Sequence, residues 1–349
     1  MGATKESKKP QWGLSSGSTL LNLAATNDPD YCFVAGKYHF MVGDSSSGKT
    51  ALSLTSLAEA SINPRFDNYR LIYDDVEGGN QFAIEKLFGK KLVERLEPPA
   101  KDKEGPLYSK TTEEFYYNVD NIIKEGKPFI YILDSETALS SDPEQEKFEE
   151  HKQAHFDNKK AKGSYGDGKA KQNSSNLRRL MGPLRDMESI LIVLSQTRDN
   201  ISPMSFETKT RSGGHALRFY AALEMWSARK GKIKKTIKGK ERLLGITSKV
   251  QIKKNRFTGR ELTVEVPIYY SFGIDDIGSC VQYLIEEGVW TKKGQKILAP
   301  DFDAEMTTEK LAQYIDEDDE RAAKLKSVVA DTWSEIDAGC QLNRKSRYE

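Results

Sequence analysis

The feature that most constrains the fold is the octapeptide GDSSSGKT at 43–50. It follows the short apolar run KYHFMV at 37–42 and precedes a stretch in which Leu52, Leu54 and Leu57 recur at helical spacing. Strand, glycine-rich loop and helix in this order are the context in which the pattern G-x-x-x-x-G-K-[ST] binds phosphate, because the loop N–H groups point inward at a helix N-terminus. We therefore expect a nucleoside triphosphate site in an α/β fold.

Within this loop, Lys49 is expected to reach the β and γ phosphates, and the Thr50 hydroxyl is expected to ligate Mg²⁺. A chance Gly/Ser loop is the alternative reading, which the flanking strand and helix disfavour. The predicted nucleotide-binding residues are Gly43, Asp44, Ser45, Ser46, Ser47, Gly48, Lys49 and Thr50.

Three further apolar runs, at 69–73, 128–133 and 190–194, are separated by stretches with helical patterns. Short apolar, β-branched runs of this kind are typical of a parallel sheet that is buried on both faces. Segments 249–253 and 261–270 alternate like antiparallel strands, and they would extend that sheet at one edge. The sequence thus predicts a mostly parallel central sheet flanked by helices.

Changes in composition divide the 349 residues into three expected parts. Residues 1–14 are polar and predict a flexible arm, and residues 15–274 carry the α/β pattern. Thirteen acidic and seven basic residues lie between 301 and 349, so we expect 275–349 to form a small acidic, α-rich domain.

Composition also limits the compartment and the class of protein. Hydrophobic residues make up 37% of the chain, which excludes disorder throughout, and the formal net charge is only +1. No apolar run approaches the ~18 residues of a membrane span. Cys32, Cys280 and Cys340 are too few and too widely spaced for a disulfide framework, so we expect reduced thiols and a cytoplasmic location.

Polar residues follow the predicted strands where ligands of parallel sheets bind. Asp134 closes the run at 128–133 and would hold Mg²⁺ at the Walker B position, although a turn-capping aspartate is an alternative. Glu77 follows the run at 69–73 and would polarise the water that attacks the γ-phosphate, with Asp74 and Asp75 as competitors.

Gln196 follows the run at 190–194 and opens the polar stretch TRDNISPMSFETKTRSGG at 197–214. A stretch of this length without a structural pattern is expected to be functional or disordered. An amide at the strand end can sense the γ-phosphate and pass its presence to the loop. A strand-end amide that only satisfies backbone groups is an equally open reading.

Two segments concentrate positive charge. Thirteen basic residues and one acidic residue lie in 229–260, and eight basic against two acidic residues lie in 152–179. Such clusters favour phosphate backbones, although charge runs are more often solvated faces.

Several of these blocks, in this order, resemble RecA-type recombinases, including bacteriophage members, from about Leu14 to about Ile336. The matching blocks are SSGSTLLN, GDSSSGKT, DDVEGG, FIYILDSETAL, ILIVLSQTR, SGGHALRFYAA and VQIKKNR. The last two of these blocks are more specific than the phosphate loop, which many NTPases share.

The resemblance implies a RecA-like P-loop ATPase core that uses ATP and Mg²⁺ and hydrolyses ATP in a DNA-dependent reaction. It implies self-association into a helical filament or ring on single-stranded DNA, followed by pairing with a homologous duplex. Thr50 and Asp134 would hold the metal, Gln196 would couple the γ-phosphate to DNA, and two cations would act on the adjacent protomer's ATP. The implied catalytic residues are Glu77, Lys49, Gln196, Lys254 and Arg256.

By the same resemblance, the second DNA loop spans Thr197 to Gly213, the first lies within 155–171, and Phe219 inserts at the subunit interface. Ile84 stands where the family often has an aromatic residue stacked on adenine. The short polar arm before Ser15 replaces the helix that precedes the core in cellular members, which favours a phage protein in a host cytoplasm. The implied DNA-binding residues are Lys171, Arg178, Arg198, Asn200, Met204, Ser205, Phe206, Arg211 and Gly213.

Two other functions stay open at this stage. One is a RecA-fold mediator or accessory ATPase that loads or regulates a recombinase, and the other is a replicative helicase motor, for which no loading domain is evident. The presence of Glu77, Gln196, Lys254 and Arg256 in one chain favours the recombinase.

Overall fold

The computed structural model describes residues 11–78, 83–157, 168–199, 209–211 and 214–342, together with 344 and 347. The helices are α1 (Thr19–Thr26), α2 (Lys49–Ile62), α3 (Ile84–Phe88), α4 (Lys90–Arg95), α5 (Thr112–Lys124), α6 (Asp142–Phe156), α7 (Gly168–Asp186), α8 (His215–Tyr220), α9 (Asp276–Glu286), α10 (Thr308–Asp316) and α11 (Asp319–Gly339). The strands are β1 (Gly13–Leu14), β2 (Phe33–Val34), β3 (Tyr38–Gly43), β4 (Arg70–Asp75), β5 (Leu96–Glu97), β6 (Ala100–Lys101), β7 (Pro106–Leu107), β8 (Phe129–Asp134), β9 (Ile190–Asp199), β10 (Lys209–Arg211), β11 (Leu223–Ile237), β12 (Lys240–Asn255), β13 (Thr263–Tyr269), β14 (Gly273–Ile274), β15 (Thr291–Lys293), β16 (Lys296–Ala299) and β17 (Ala304–Thr307).

The central sheet has the order β14-β13-β12-β11-β3-β9-β8-β4-β5, and β10 pairs with β9. The strands from β11 to β5 in this order are parallel, and β12, β13 and β14 add antiparallel pairs at one edge. The predicted mostly parallel α/β sheet with an antiparallel edge is therefore confirmed.

The register of the parallel strands brings the predicted strand-end residues to one edge of the sheet. Gly43 of β3 lies opposite Gln196 of β9, and Asp75 of β4 lies opposite Asp134 of β8. Because parallel strands share their direction, their carboxyl ends form a single ligand-facing edge.

Apolar residues cover both faces of this sheet, as its continuous apolar strands require. Alternate residues of β3 separate to the two faces: Met41 joins the cluster with α1 and α2, whereas Phe40 and Val42 join the cluster with α5 and α7. Each fully buried apolar side chain of this kind contributes about 1.5–3 kcal/mol to the stability of the fold. The sheet is thus fixed between two helical layers, and its polar edge is held in place.

The C-terminal region packs against the first of these clusters. Trp290, Leu311 and Val329 are buried in the same apolar cluster as Leu21 of α1. The Asp276 carboxylate accepts hydrogen bonds of 2.7 Å from both the N–H and the hydroxyl of Thr19. The region contains α9, α10 and the 21-residue α11, with a three-stranded sheet of β15, β16 and β17 that the sequence did not indicate.

Strands β11 and β12 form a long hairpin that was expected only in part. Strand β12 pairs with β13 from Gly245 to Gln251, and the remainder of the hairpin towards its turn at Lys238 is a two-stranded ribbon. Most of the basic cluster at 229–260 lies on this hairpin. In the described part of the chain, no helix combines the length and the apolarity that crossing a membrane requires.

Candidate functional site

The loop between β3 and α2 has a shape that depends on its small residues. Gly48 has a φ of 97° and Ser46 a φ of 56°, both in the left-handed region. A Cβ at Gly48 would lie 2.6 Å from Ile268 Cδ1, and one at Gly43 would lie 2.2 Å from Ser227 Oγ. Glycine is therefore required at both positions, and the loop turns its N–H groups towards the N-terminus of α2.

Lys49 lies across this loop. Its ammonium donates hydrogen bonds to the carbonyl oxygens of Gly43 at 2.9 Å and of Asp44 at 2.8 Å. Burial lowers the pKa of Lys49, and the nearby carboxylates of Asp134 and Glu77 oppose that shift. A buried ammonium whose hydrogen bonds within the described residues go to neutral carbonyls would gain from an anionic acceptor, and phosphate oxygens are such acceptors.

Thr50 and Asp134, the two residues predicted to hold the metal, are in direct contact. The Thr50 hydroxyl donates to Asp134 Oδ2 at 2.7 Å, and the Tyr73 hydroxyl donates to the same oxygen at 2.9 Å. Burial raises the pKa of Asp134, while these two hydrogen bonds act to lower it. Hydroxyl and carboxylate oxygens beside a phosphate-binding loop fit Mg²⁺, which prefers oxygen ligands and usually keeps substrate phosphates in its shell.

Glu77 lies beside this pair and is held by two side chains. Ser135 Oγ donates to Glu77 Oε1 at 2.6 Å, and Gln196 Nε2 donates to the same oxygen at 2.8 Å. The Gln196 N–H in turn donates to Thr137 Oγ1 at 2.8 Å. The carboxylate and the strand-end amide predicted to respond to the γ-phosphate therefore touch each other.

Asp74 and Asp75, the two alternatives to Glu77 that the sequence left open, lie in different places. Asp74 is buried on the opposite face of the sheet, where it accepts hydrogen bonds from Ser109 Oγ and Tyr131 OH, each at 2.6 Å. Asp75 lines the same cleft as Glu77. Asp74 therefore has a structural role, and Asp75 remains near the reacting groups.

These residues line a cleft of about 470 Å³. Its far side is formed by residues that sequence reasoning missed. Tyr270 is 54% exposed there. Ile84, which stands where the family often has an aromatic residue, packs partly buried against the apolar core. Strand direction could have revealed Tyr270, because β13 runs parallel to β3 and ends at the same edge. The missed lining residues are Arg229, Ile246, Ile268 and Tyr270.

Lys254 and Arg256 lie together at the end of α8. The Lys254 ammonium donates to the carbonyls of Arg218 at 2.7 Å and Phe219 at 2.8 Å, and Arg256 Nη2 donates to Phe219 O at 2.7 Å. Desolvation, aided by the charge of Arg256, lowers the pKa of Lys254 to about 8. The Phe219 side chain beside them is 65% exposed.

These cations are far from the phosphate loop of their own chain. Ser248 Oγ of β12 donates to Ser47 O of that loop at 2.7 Å. Lys254 is six residues farther along the same strand, which corresponds to ~20 Å at ~3.3 Å per residue. The two cations and Phe219 therefore belong to the opposite edge of the sheet from the loop.

The described DNA-loop candidates are exposed cations. Arg198 lies on β9 opposite Thr210 of β10, and Lys171 and Arg178 lie on α7, where Arg178 Nε donates to Tyr220 OH at 3.3 Å. For Arg211 the structure describes the backbone alone. The predicted DNA-binding residues that lie outside the described residues are Asn200, Met204, Ser205, Phe206 and Gly213.

Two predicted boundaries require correction. Strand β9 does not end at Gln196 but continues to Asp199, because its last residues pair with Lys209–Arg211. Helix α6 continues to Phe156 and α7 begins at Gly168, so Lys171 is on a helix and not in the first loop.

Part of the chain is similar in sequence to a known protein family. The sequence model of the family described as RecA N-terminal domain matches residues 108–275 of this chain, a segment that runs from before β8 to the end of β14. Asp134, Gln196, Lys254 and Arg256 all lie within it.

Curated relatives extend this similarity. The chain is 27% identical over 265 residues to Protein RecA of Brucella suis, and the match covers 74% of this chain and 64% of that protein. It is 28% identical over 265 residues to Protein RecA of Acidiphilium cryptum, covering 74% and 67%. It is 28% identical over 267 residues to Protein RecA of Chlorobaculum tepidum, covering 74% and 66%. The chain thus spans about two thirds of the length of these relatives.

Proposed function

Because this chain belongs to the RecA family, we propose that it is an ATP-dependent DNA recombinase that assembles on single-stranded DNA and pairs it with a homologous duplex. The observation that carries this proposal is the course of β9. Its Gln196 bonds the Glu77 carboxylate, and its Arg198, two residues further on, enters the expected DNA loop. One strand thus joins a nucleotide cleft to a DNA-contacting segment.

In the nucleotide cleft, the loop N–H groups and Lys49 bind the phosphates, and Thr50 and Asp134 hold Mg²⁺. When bound, the metal neutralises charge that develops on the transferring phosphoryl group. Glu77 orients the attacking water and accepts its proton, and hydrogen bonds from Ser135 and Gln196 hold its carboxylate in position.

Assembly completes the site in this proposal. Lys254 and Arg256 lie at the edge remote from their own loop, next to the exposed Phe219. In a head-to-tail array, that edge meets the nucleotide cleft of the next protomer, so that two cations stabilise the transition state from across the interface. Hydrolysis then depends on filament or ring formation.

The DNA contacts in this proposal are made without reading sequence. Lys171, Arg178 and Arg198 are exposed cations that would bind backbone phosphates. Base pairing between the strands then supplies the specificity that homologous pairing demands. The acidic segment 275–349 would compete with DNA for basic surface, and the 3.1 Å ion pair between Lys235 and Glu309 supports such a role.

The test is ATP hydrolysis with and without single-stranded DNA, combined with negative-stain imaging. We expect hydrolysis to rise with DNA, to fall with added salt and to be lost in Lys49→Ala, and we expect helical filaments with an ATP analogue. Equal hydrolysis with and without DNA would favour an accessory ATPase instead.

A further inference from the structure

Arg229 lines the nucleotide cleft on the side away from the carboxylates. Its position on β11 is tied to the phosphate loop from two directions. The preceding Ser227 places its Oγ 2.8 Å from Ser47 Oγ, and Ser248, which lies opposite Arg229, donates to the Ser47 carbonyl at 2.7 Å. The backbone at Arg229 is therefore fixed relative to the loop.

A β-bulge then separates Arg229 from the ribbon that follows. The pairing of β11 with β12 shifts between Arg229 and Gly231, leaving Lys230 as the extra residue. Bulges beside active sites commonly redirect a side chain. Lys230 pairs with Glu265, whereas within the described residues the Arg229 guanidinium has no ion-pair partner.

The strand order gives the direction in which a nucleotide lies in this cleft. Glu77 follows β4 and Asp134 ends β8, on one side of β3, whereas Arg229 lies on β11 and Tyr270 follows β13, on the other side. Because the γ-phosphate and its metal belong with the carboxylates, the base and ribose extend towards the tyrosine. In that orientation Arg229, whose strand β11 lies between β3 and β13, would lie beside the phosphate nearest the ribose.

We propose that the Arg229 guanidinium binds the α-phosphate of the nucleotide held by its own protomer. The planar guanidinium is suited to bidentate contact with phosphate oxygens. This inference rests on the proposed nucleotide-binding function and adds a division of labour to it. Arg229 retains nucleotide in the free protomer, whereas Lys254 and Arg256 act only after assembly.

The experiment measures the affinity of the full-length chain for fluorescent ATP and ADP analogues in the absence of DNA. Arg229→Ala should weaken both nucleotides by the same factor, about tenfold, because both carry an α-phosphate. Arg229→Lys should lose less, since the charge remains. The matched control is Lys230→Ala, which removes an adjacent exposed cation that does not line the cleft and should bind as wild type.

Thermal unfolding without nucleotide should be the same for wild type and Arg229→Ala, which shows that the exposed side chain is not needed for folding. Unchanged affinity in Arg229→Ala would overturn the inference, and so would a loss confined to ATP, which would place the guanidinium at the γ-phosphate. If wild-type protein bound neither nucleotide, the proposed function itself would fall.

Discussion

The side-chain amide of Gln196 donates a hydrogen bond to Glu77 Oε1 across 2.8 Å. Gln196 is the last residue of β9 paired with β3, and the strand continues from there to Asp199, where it pairs with β10. A displacement of that ribbon would therefore move the amide relative to the carboxylate. In the proposed function, this contact would give DNA and nucleotide one shared element whose position both can bias.

Gln196→Ala tests this link. We expect DNA to lose its stimulation of ATP hydrolysis, because the amide that connects the loop to Glu77 is absent, while the DNA-independent rate stays within about threefold of wild type. The measurement is steady-state hydrolysis against single-stranded DNA concentration. Gln282→Ala removes a similar amide-to-carboxylate contact with Glu286, 2.7 Å long, on α9, and it should leave stimulation intact. Full stimulation in Gln196→Ala would show that the signal takes another route.

Substitution of Asp74 is expected to lower the stability of the fold, whereas substitution of Glu77 is expected to lower the rate of hydrolysis. Asp74→Ala leaves the hydroxyl donors of Ser109 and Tyr131 without their acceptor, so the free energy of unfolding should fall by about 1–3 kcal/mol. Its rate per folded molecule should be nearly unchanged. Glu77→Gln should reduce kcat by about 100-fold or more with little change in unfolding. Denaturant melts and single-turnover rates on both variants distinguish these outcomes, and a catalytic defect in folded Asp74→Ala would contradict the assignment.

The convergence of Lys49, Thr50, Asp134, Glu77 and Gln196 was predictable, because it follows from strand direction. Each residue lies at or soon after the end of an apolar strand, or on the loop and helix that follow one, and parallel strands bring such ends to one edge. The extension of β9 was not predictable in this way, because its last residues pair with β10 through contacts that a local polar pattern does not encode.

Arg229 and Tyr270 were missed for a related reason. The cluster at 229–260 indicated charge, but locating Arg229 in the cleft requires the pairing register and the bulge of β11 and β12. The separation of Lys254 from its own loop likewise depends on the length of β12. Only the family resemblance led to the prediction that Lys254 would act on a neighbour.

Mixed protomers test the shared site. Lys254→Ala lacks the donated cation and Glu77→Gln lacks the carboxylate, so each alone should be nearly inactive. In an equal mixture, random head-to-tail contacts would restore about a quarter of the interfaces, where a Glu77→Gln protomer offers Lys254 to the intact cleft of a Lys254→Ala protomer. Measured hydrolysis should therefore exceed the sum of the separate proteins.

The matched control is a mixture of Lys49→Ala with Glu77→Gln. Both changes damage the same cleft, so no interface regains a complete set and activity should stay low. A mixture with Lys254→Ala that performs no better than this control would mean that the cations do not act between protomers.

The pKa of Lys254, lowered to about 8, predicts a pH dependence of assembly. The group is cationic below that pKa and neutral above it, and in the proposed assembly the neighbour's phosphate would bind the cation. The contact is therefore fully present below about pH 8 and weakens as the pH rises, while the phosphate itself opposes loss of the proton. The protein concentration needed for half-maximal DNA-dependent hydrolysis should increase between about pH 7 and about pH 9.5.

Lys254→Arg should flatten this response, because a guanidinium stays charged throughout the range. Its neighbour provides the matched control: Lys253 lies 4.1 Å from the centre of the Trp226 ring, and Lys253→Arg should keep the wild-type pH profile. The decisive quantity is the ratio of wild-type to Lys254→Arg half-maximal concentrations at each pH, since other titrating groups cancel in it. A ratio that does not change with pH would mean that the charge of Lys254 does not control the interface, whereas a ratio that rises only above about pH 8 ties assembly to this one ammonium.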